Sequence, residues 1–322
     1  MYGTVHSTVE VSIHDAAEAF LRFKLAAGRQ VGTIRTYRSS LRAFAAYAES
    51  VGIHNLSALS LDVAIRFVGN PSHAQGTRRQ HGICLRSFIR FACRYGWRVE
   101  VAPEDIPLPP ANPKPRVILT AREVRAILAT CRQSRTAPRR HKRDRLLICL
   151  LAECGLRASE LLNLKLGDVI LYDHHTTVCG YARVRGKGGK ERTVGFGEPT
   201  RRALTAHIIA WPIRQDNEQL FQRRQGGGSP YGEPMTLAGL RSMLIRRARR
   251  AGITKHIHPH IFRHTFATQM LRSGENLYIT SKALGHSDLR STETYLHLSQ
   301  TDVEEASARA SILNEHREVW EL

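Results

Sequence analysis

The sequence predicts a mainly α-helical protein of two domains, with one small antiparallel sheet in the second. Three observations predict this. Apolar residues recur at helical spacing through the first hundred residues and through most of the chain beyond 117. Prolines crowd residues 101–116, where neither a helix interior nor a central strand tolerates them. Strand-type runs are confined to a hairpin pattern between Tyr181 and Phe196.

Taken in order, Ala16, Ala19, Phe20 and Phe23 mark a first helix after a possible cap at Asp15. Thr33 is the candidate cap of a second helix. Its stripe of Ile34, Tyr37, Leu41 and Phe44 lies beside a basic stripe of Arg35, Arg38 and Arg42. A helix with one face for the core and one for phosphates has this pattern, and so does a helix with a merely solvated basic face. A third helix begins near Leu61. A fourth, from about Thr77 to Tyr95, interleaves Arg78, Arg79, Arg86 and Arg90 with Ile83, Leu85, Phe88 and Phe91. Residues 1–100 thus form a basic, all-helical domain. Residues 101–116, with Pro103, Pro107, Pro109, Pro110, Pro113 and Pro115, are expected to be a semi-stiff linker.

The second domain, 117–322, opens on the capping-box pattern Thr120-Ala-Arg-Glu123. A strongly basic run, 132–145, precedes a buried helical stretch, Leu146 to Leu151, which Gly155 ends. A short helix from Ala158 to Asn163 follows Arg157 directly. Tyr181 to Arg185 and Glu191 to Phe196 flank a flexible tip, Gly186-Lys-Gly-Gly-Lys190, as in a β-hairpin. Helices resume near Thr200 and fill the remainder. The glycine-rich stretch from Gln225 to Pro230 lacks the Lys-Ser/Thr and the preceding strand of a phosphate cradle.

Composition bounds the partner. The chain of 322 residues carries 48 Lys plus Arg against 28 Asp plus Glu, a formal charge of +20 spread along its length. That balance points first to nucleic acid, and the arginine excess favours bidentate phosphate contacts. Cys84, Cys93, Cys131, Cys149, Cys154 and Cys179 form no C-x-x-C pair and read as small core residues of a reducing compartment. With no signal-like N-terminus and no long apolar run, a cytoplasmic protein without a membrane partner is expected.

The densest chemistry lies in His258-Pro-His-Ile-Phe-Arg-His-Thr-Phe-Ala267. Pro259 suits a first helical turn. His260, Arg263 and His264, at i, i+3 and i+4, are then expected on one face, a proton-transfer group beside a permanent cation. Histidines near helix starts are also common as plain polar surface.

Five motifs occur in fixed order: Cys154-Gly-Leu-Arg-Ala-Ser-Glu-Leu161, Gly186-Lys-Gly-Gly-Lys-Glu-Arg192, His260-Ile-Phe-Arg-His-Thr-Phe-Ala-Thr268, Leu284-Gly-His286 and Thr294-Tyr295. In these the chain resembles the tyrosine recombinases, in particular the phage-integrase and Xer-like branch. The resemblance implies a helical, SAM-like core-binding domain before the linker, and after it a mostly helical catalytic domain with a small antiparallel sheet and a C-terminal interaction segment. It implies a site-specific recombinase that cleaves and rejoins DNA through a 3′-phosphotyrosyl intermediate. Arg157 and Arg263 would hold the non-bridging oxygens of the scissile phosphate, and Glu160 would brace Arg157. Lys187 would protonate the leaving 5′ oxygen, with Lys190 on the same tip as its rival. His260 would accept the phenolic proton, His286 would donate to a phosphate oxygen, and Tyr295 would be the nucleophile. His264 is expected to be structural. No metal and no cofactor is implied, because cationic side chains replace the metal. Duplex recombination sites are the expected partner, bound by four protomers in a homo-tetramer or together with related recombinases. Arg35, Arg38 and Arg79 are candidates for contacts to DNA. Two other readings are a DNA-binding protein of the same fold without activity, and a metal-dependent nuclease using His256, His258, His260 and His264.

Overall fold

A computed structural model describes residues 10–111, 117–131, 138–172, 179–186, 189–211, 215–223 and 233–285. Lys187, His286, Tyr295 and the C-terminal segment lie outside the described residues. The chain divides into two compact units, Met1–Pro115 and Arg116–Leu322.

Among the described residues the first unit has four α-helices: α1 Ile13–Ala26, α2 Val31–Ser50, α3 Leu61–Gly69 and α4 Gln75–Arg94. Ser12, rather than Asp15, caps α1, its hydroxyl accepting from the Asp15 N–H. Gln30, rather than Thr33, precedes α2. Phe20, Phe44 and Phe88 are sealed in the core, and Phe20 meets Tyr37 and Phe88 edge to face at 5.2 and 5.8 Å. The proline-rich stretch is not a bare spacer. Val101 and Ile106 are buried in the core of the first unit. Arg86 donates from Nε to the Ile106 carbonyl at 2.7 Å and from Nη2 to the Glu104 carbonyl at 3.0 Å. Arg79 Nη1 reaches the Pro109 carbonyl at 2.7 Å, and Gln75 reaches that of Pro110. Side-chain donors on α4 thereby satisfy carbonyls that no regular ladder pairs.

The second unit is built on α6, Pro138–Cys154. Its residues 146–151 are buried, and α8 (Glu198–Ala210) and α10 (Pro259–Arg272) pack against it. The expected capping box starts α5, Ala121–Ala129. The hairpin forms as β2 (Gly180–Arg185) and β3 (Glu191–Phe196), paired from Gly180↔Phe196 to Arg185↔Glu191. A strand absent from the sequence prediction, β1 (Val169–Leu171), completes an antiparallel sheet in the order β1-β2-β3. A second small pair joins β4 (Gln222–Arg223) to β5 (Glu233–Pro234). The short α7 (Ala158–Leu162), α9 (Leu237–Arg250) and α11 (Leu277–Leu284) complete the unit.

Charge and burial part company in α6. Within the basic run, Arg143 and Asp144 are buried, and Asp144 accepts from both Arg143 and Arg247 of α9. Of the six cysteines, Cys84, Cys131, Cys149 and Cys154 are buried as expected, Cys179 is half-buried, and Cys93 is exposed; all are free thiols. No helix among the described residues is long and apolar enough to cross a membrane.

Candidate active site

The site is assembled where α6 turns into α7. Gly155 makes that turn with φ 56°, a conformation that favours glycine. A side chain there would also run into the Phe266 ring of α10. Leu156 is buried, which anchors the turn and leaves Arg157 to emerge as the residue capping α7.

Arg157 is held at three points. Its backbone N–H donates to Glu160 Oε2 at 2.8 Å, Nη1 donates to Glu160 Oε1 at 2.7 Å, and Nη2 reaches the Gly285 carbonyl at 3.2 Å. Glu160 thus makes the contact to Arg157 that the spacing predicts. It is no exposed i, i+3 pair, because its side chain is only 3% accessible and a second arginine shares it. Arg192 of β3 donates Nη1 to Oε1 at 3.0 Å and Nη2 to Oε2 at 2.8 Å, a fork on a carboxylate. Burial alone would raise the Glu160 carboxyl. The hydrogen bonds and charge of Arg192, with those of Arg157, outweigh it and pull the group down to about 2. Glu160 is thus an anion at every physiological pH, which suits an orienter and disqualifies it as a proton donor.

Arg263 turns inward. The helix start at Pro259 is as predicted, but His260, Arg263 and His264 do not all present one open face. Arg263 is 3% exposed, with Nη1 on the Gly155 carbonyl at 2.8 Å and Nη2 on the Leu284 carbonyl at 2.7 Å. His260 is exposed, its ring 6.3 Å from His258 and 6.4 Å from His264.

These contacts reveal a pattern that no local motif announces. Three successive carbonyls at the end of α11 each accept from a different arginine: Ala283 from Arg192 Nε at 2.8 Å, Leu284 from Arg263, and Gly285 from Arg157. A helix C-terminus leaves its last carbonyls without intrahelical partners and carries partial negative charge. Here that end, closed by Gly285 in the left-handed region at φ 66°, gathers three guanidiniums from stretches far apart in sequence. The next residue is His286.

A cleft of about 580 Å³ opens beside this cluster, lined by Arg157, Ser159, Arg241, His256, His258 and His260. Arg157 and His260 thus face one cavity, and His256 and His258 belong to its wall. Burial, then the neighbouring His256, His260 and Arg241, lower the His258 pKa, so that His258 favours the neutral form. Among the described residues no group of three or more His, Cys, Asp or Glu side chains has the spacing to hold a metal ion.

Of the remaining predicted residues, Lys190 is exposed on the hairpin, and its carbonyl accepts from the Gly186 N–H at 2.8 Å. In the first unit Arg35 and Arg38 stand exposed on α2, whereas Arg79 is engaged with Pro109. Arg192 had no role assigned from sequence. Its signal was there, because alternation along β3 places it on the face of Val194 and Phe196, both of which are buried.

Known proteins resemble this chain in sequence and in fold. Residues 118–302 match the sequence profile of the Phage integrase family. The tyrosine recombinase XerD of Staphylococcus saprophyticus is 29% identical over 293 residues, covering 89% of this chain and 95% of that protein. The tyrosine recombinase XerC of Oceanobacillus iheyensis is 31% identical over 284 residues, covering 85% and 88%. In fold, the chain resembles the XerH site-specific recombinase solved as a pre-cleavage complex with its difH substrate, with TM-score 0.68, 22% identity and coverage of 92% of this chain and 84% of that one. It also resembles the Tn1549 transposon integrase in complex with transposon right end DNA, with TM-score 0.68, 18% identity and coverage of 93% and 99%.

Proposed function

The chain belongs to the phage integrase family of tyrosine recombinases, and from that premise we propose that it is a site-specific recombinase of the integrase or transposase type, acting through a 3′-phosphotyrosyl intermediate. The observation that carries the proposal is the convergence of Arg157, Arg263 and Arg192 on the three carbonyls that lead into His286.

In this reading Tyr295 attacks the scissile phosphorus with its phenolic oxygen, forming the Tyr–O–P bond as the P–O5′ bond breaks. The phenolic proton passes to His260, and the departing 5′ oxygen takes a proton from Lys187, with Lys190 as the alternative donor. Negative charge grows on the non-bridging oxygens in the transition state. Arg157, Arg263 and His286 stabilise it, and prepositioned donors do so without reorganisation. Phosphodiester energy is kept in the phosphotyrosyl bond, so a 5′ hydroxyl of another strand rejoins the backbone by the reverse route. The reaction as written needs no metal or nucleotide, because the guanidiniums supply the positive charge.

The first unit serves as the core-binding domain, residues 101–116 lead into the catalytic domain, and Arg35 and Arg38 contact DNA, whereas the Arg79 guanidinium is held by the Pro109 carbonyl. Four protomers act on two sites, with the segment after 300 docking on a neighbour. Bulk DNA as substrate assigns the protein to the cytoplasm.

The test is covalent trapping on a nicked duplex whose cleaved fragment diffuses away. The wild-type protein should accumulate a protein–DNA adduct, and Tyr295→Phe should bind the same duplex and form none. An adduct with Tyr295→Phe would overturn the nucleophile, and no adduct with wild type on any recombination site would overturn the activity.

A further inference from the structure

The geometry points to Arg192 as a positioning residue: by locking Glu160 it holds the Arg157 guanidinium in the pose that meets the scissile phosphate. This rests on the recombinase reading above and adds a residue to it.

Glu160 is a buried anion with two cations. Arg192 takes both of its oxygens, and Arg157 takes one with its guanidinium and the other with its backbone N–H. Because Arg192 supplies the fork, Arg157 need not. Arg157 keeps one guanidinium nitrogen on the carboxylate and another on Gly285, and its side chain stays 32% exposed beside the cleft. Without Arg192, Arg157 is the one salt-bridge partner that a carboxylate this deeply buried keeps among the described residues. Coulomb attraction at low dielectric then favours a two-oxygen grip by Arg157, which would draw it out of the cleft.

Three features fit Arg192 to the task. It is rigidly set on β3 opposite Val184, with its side chain 11% exposed. Its Nε ties the α11 end through Ala283. The α11 backbone also presses on it, since a Cβ at Gly285 would lie 2.9 Å from Arg192 Nη1. One side chain thus joins β3, the Arg157 brace and the turn before His286. A lysine supplies charge but no planar fork, so it cannot make the two parallel bonds to Glu160 and the bond to Ala283 together.

The experiment compares single-turnover cleavage of two otherwise identical duplexes, one with a normal scissile phosphodiester and one with a methylphosphonate there. The methylphosphonate lacks the charge that Arg157 neutralises, so a defect routed through Arg157 should fade on it. Arg192→Gln is expected to slow the phosphodiester by about 100-fold and the methylphosphonate by no more than about 5-fold, a pattern matching that of Arg157→Ala. Added to Arg157→Ala, it should slow the phosphodiester little further. Arg192→Lys, which keeps the charge should Arg192→Gln not fold, is expected to show the same selectivity at a smaller size. Equal slowing of both substrates by a folded, DNA-binding variant would overturn the positioning role, as would full additivity with Arg157→Ala. If the wild-type protein cleaves neither duplex, the recombinase reading fails; if it cleaves and the selectivity is absent, only the assignment to Arg192 fails.

Discussion

Among the described residues, two buried carboxylates of the second unit, Asp144 and Glu160, each meet two arginines, and the two clusters are put to opposite uses. At Asp144 the carboxylate is fully buried. Arg247, 1% exposed, gives it Nε and Nη2 and spends Nη1 on the Thr130 carbonyl. Arg143 gives it Nε and Nη2 and spends Nη1 on the Gln222 carbonyl. This cluster staples α6 to α9 and the loop after α5. At Glu160 the carboxylate is nearly as buried, but one of its two arginines stands at the rim of a cleft. Where both cations are sealed the product is stability; where one reaches solvent the product is a fixed, available positive charge. Burial of the carboxylate does not separate the two, but exposure of the partner does.

The largest effect should come from breaking the sealed cluster. Asp144→Ala leaves two guanidiniums without their counter-ion, one of them Arg247 in the core, and should cost about 3–5 kcal/mol of folding stability, read by urea unfolding. A loss below 1 kcal/mol would mean that water reaches Arg247 and that the contrast with Glu160 is false. Next comes Arg157→Ala. It should slow strand cleavage on the order of a hundred- to a thousand-fold while the unfolding midpoint stays close to that of wild type. A large drop in stability with cleavage intact would reverse the roles of the two clusters.

The pH dependence sharpens the comparison. Although burial opposes it, the pairing with Arg192 and Arg157 pulls the folded-state Glu160 carboxyl to about 2, against about 4.3 for an ordinary glutamate. The unfolded chain therefore binds the proton first as pH falls. The contribution is whole above about pH 4.3 and is lost as pH falls through about 2, a total of about 3 kcal/mol. Glu160→Gln has no such group to titrate. The stability gap between wild type and Glu160→Gln should therefore be constant from pH 7 to 5 and close toward pH 2. A gap independent of pH over that window would remove the assigned ion pair.

Much of this was legible beforehand, and the exceptions have physical causes. Helical periodicity found the long helices, and the Thr120 capping box and the Pro259 start are local features that tertiary context left alone. At the start of α1, Asp15 and Ser12 are both good caps three residues apart, and only geometry shows that Ser12 accepts from the Asp15 N–H. β1 was missed because three residues carry too little period to tell strand from loop. In the basic run of α6 the count of charges hid the period: Asp144 is followed by Leu147 and Leu151 on the same buried face. At the site, Arg157, Glu160, His260 and Arg263 were named from their motifs. What sequence could not say is that Arg263 faces the core, or that Arg192 completes the brace, since its partners lie 32 and 91 residues away.

The same contrast recurs at smaller scale in the first unit, between two helices with nearly identical basic stripes. On α2, Arg35, Arg38 and Arg42 stand in solvent. On α4, Arg79 and Arg86 hold the carbonyls of residues 104–109. Arg86→Ala should cost about 1.5 kcal/mol of stability, because Arg86 donates to the carbonyls of Ile106 and Glu104. It should leave the salt dependence of DNA binding unchanged. Arg38→Ala should do the reverse, leaving the melting temperature in place and reducing the slope of log affinity against log salt by about one. Filter binding across a salt series, with thermal melting alongside, reads both at once. If Arg38→Ala lowered the melting temperature and left the slope unaltered, exposure would not distinguish contact arginines from structural ones, and the rule drawn from Asp144 and Glu160 would hold only in the second unit.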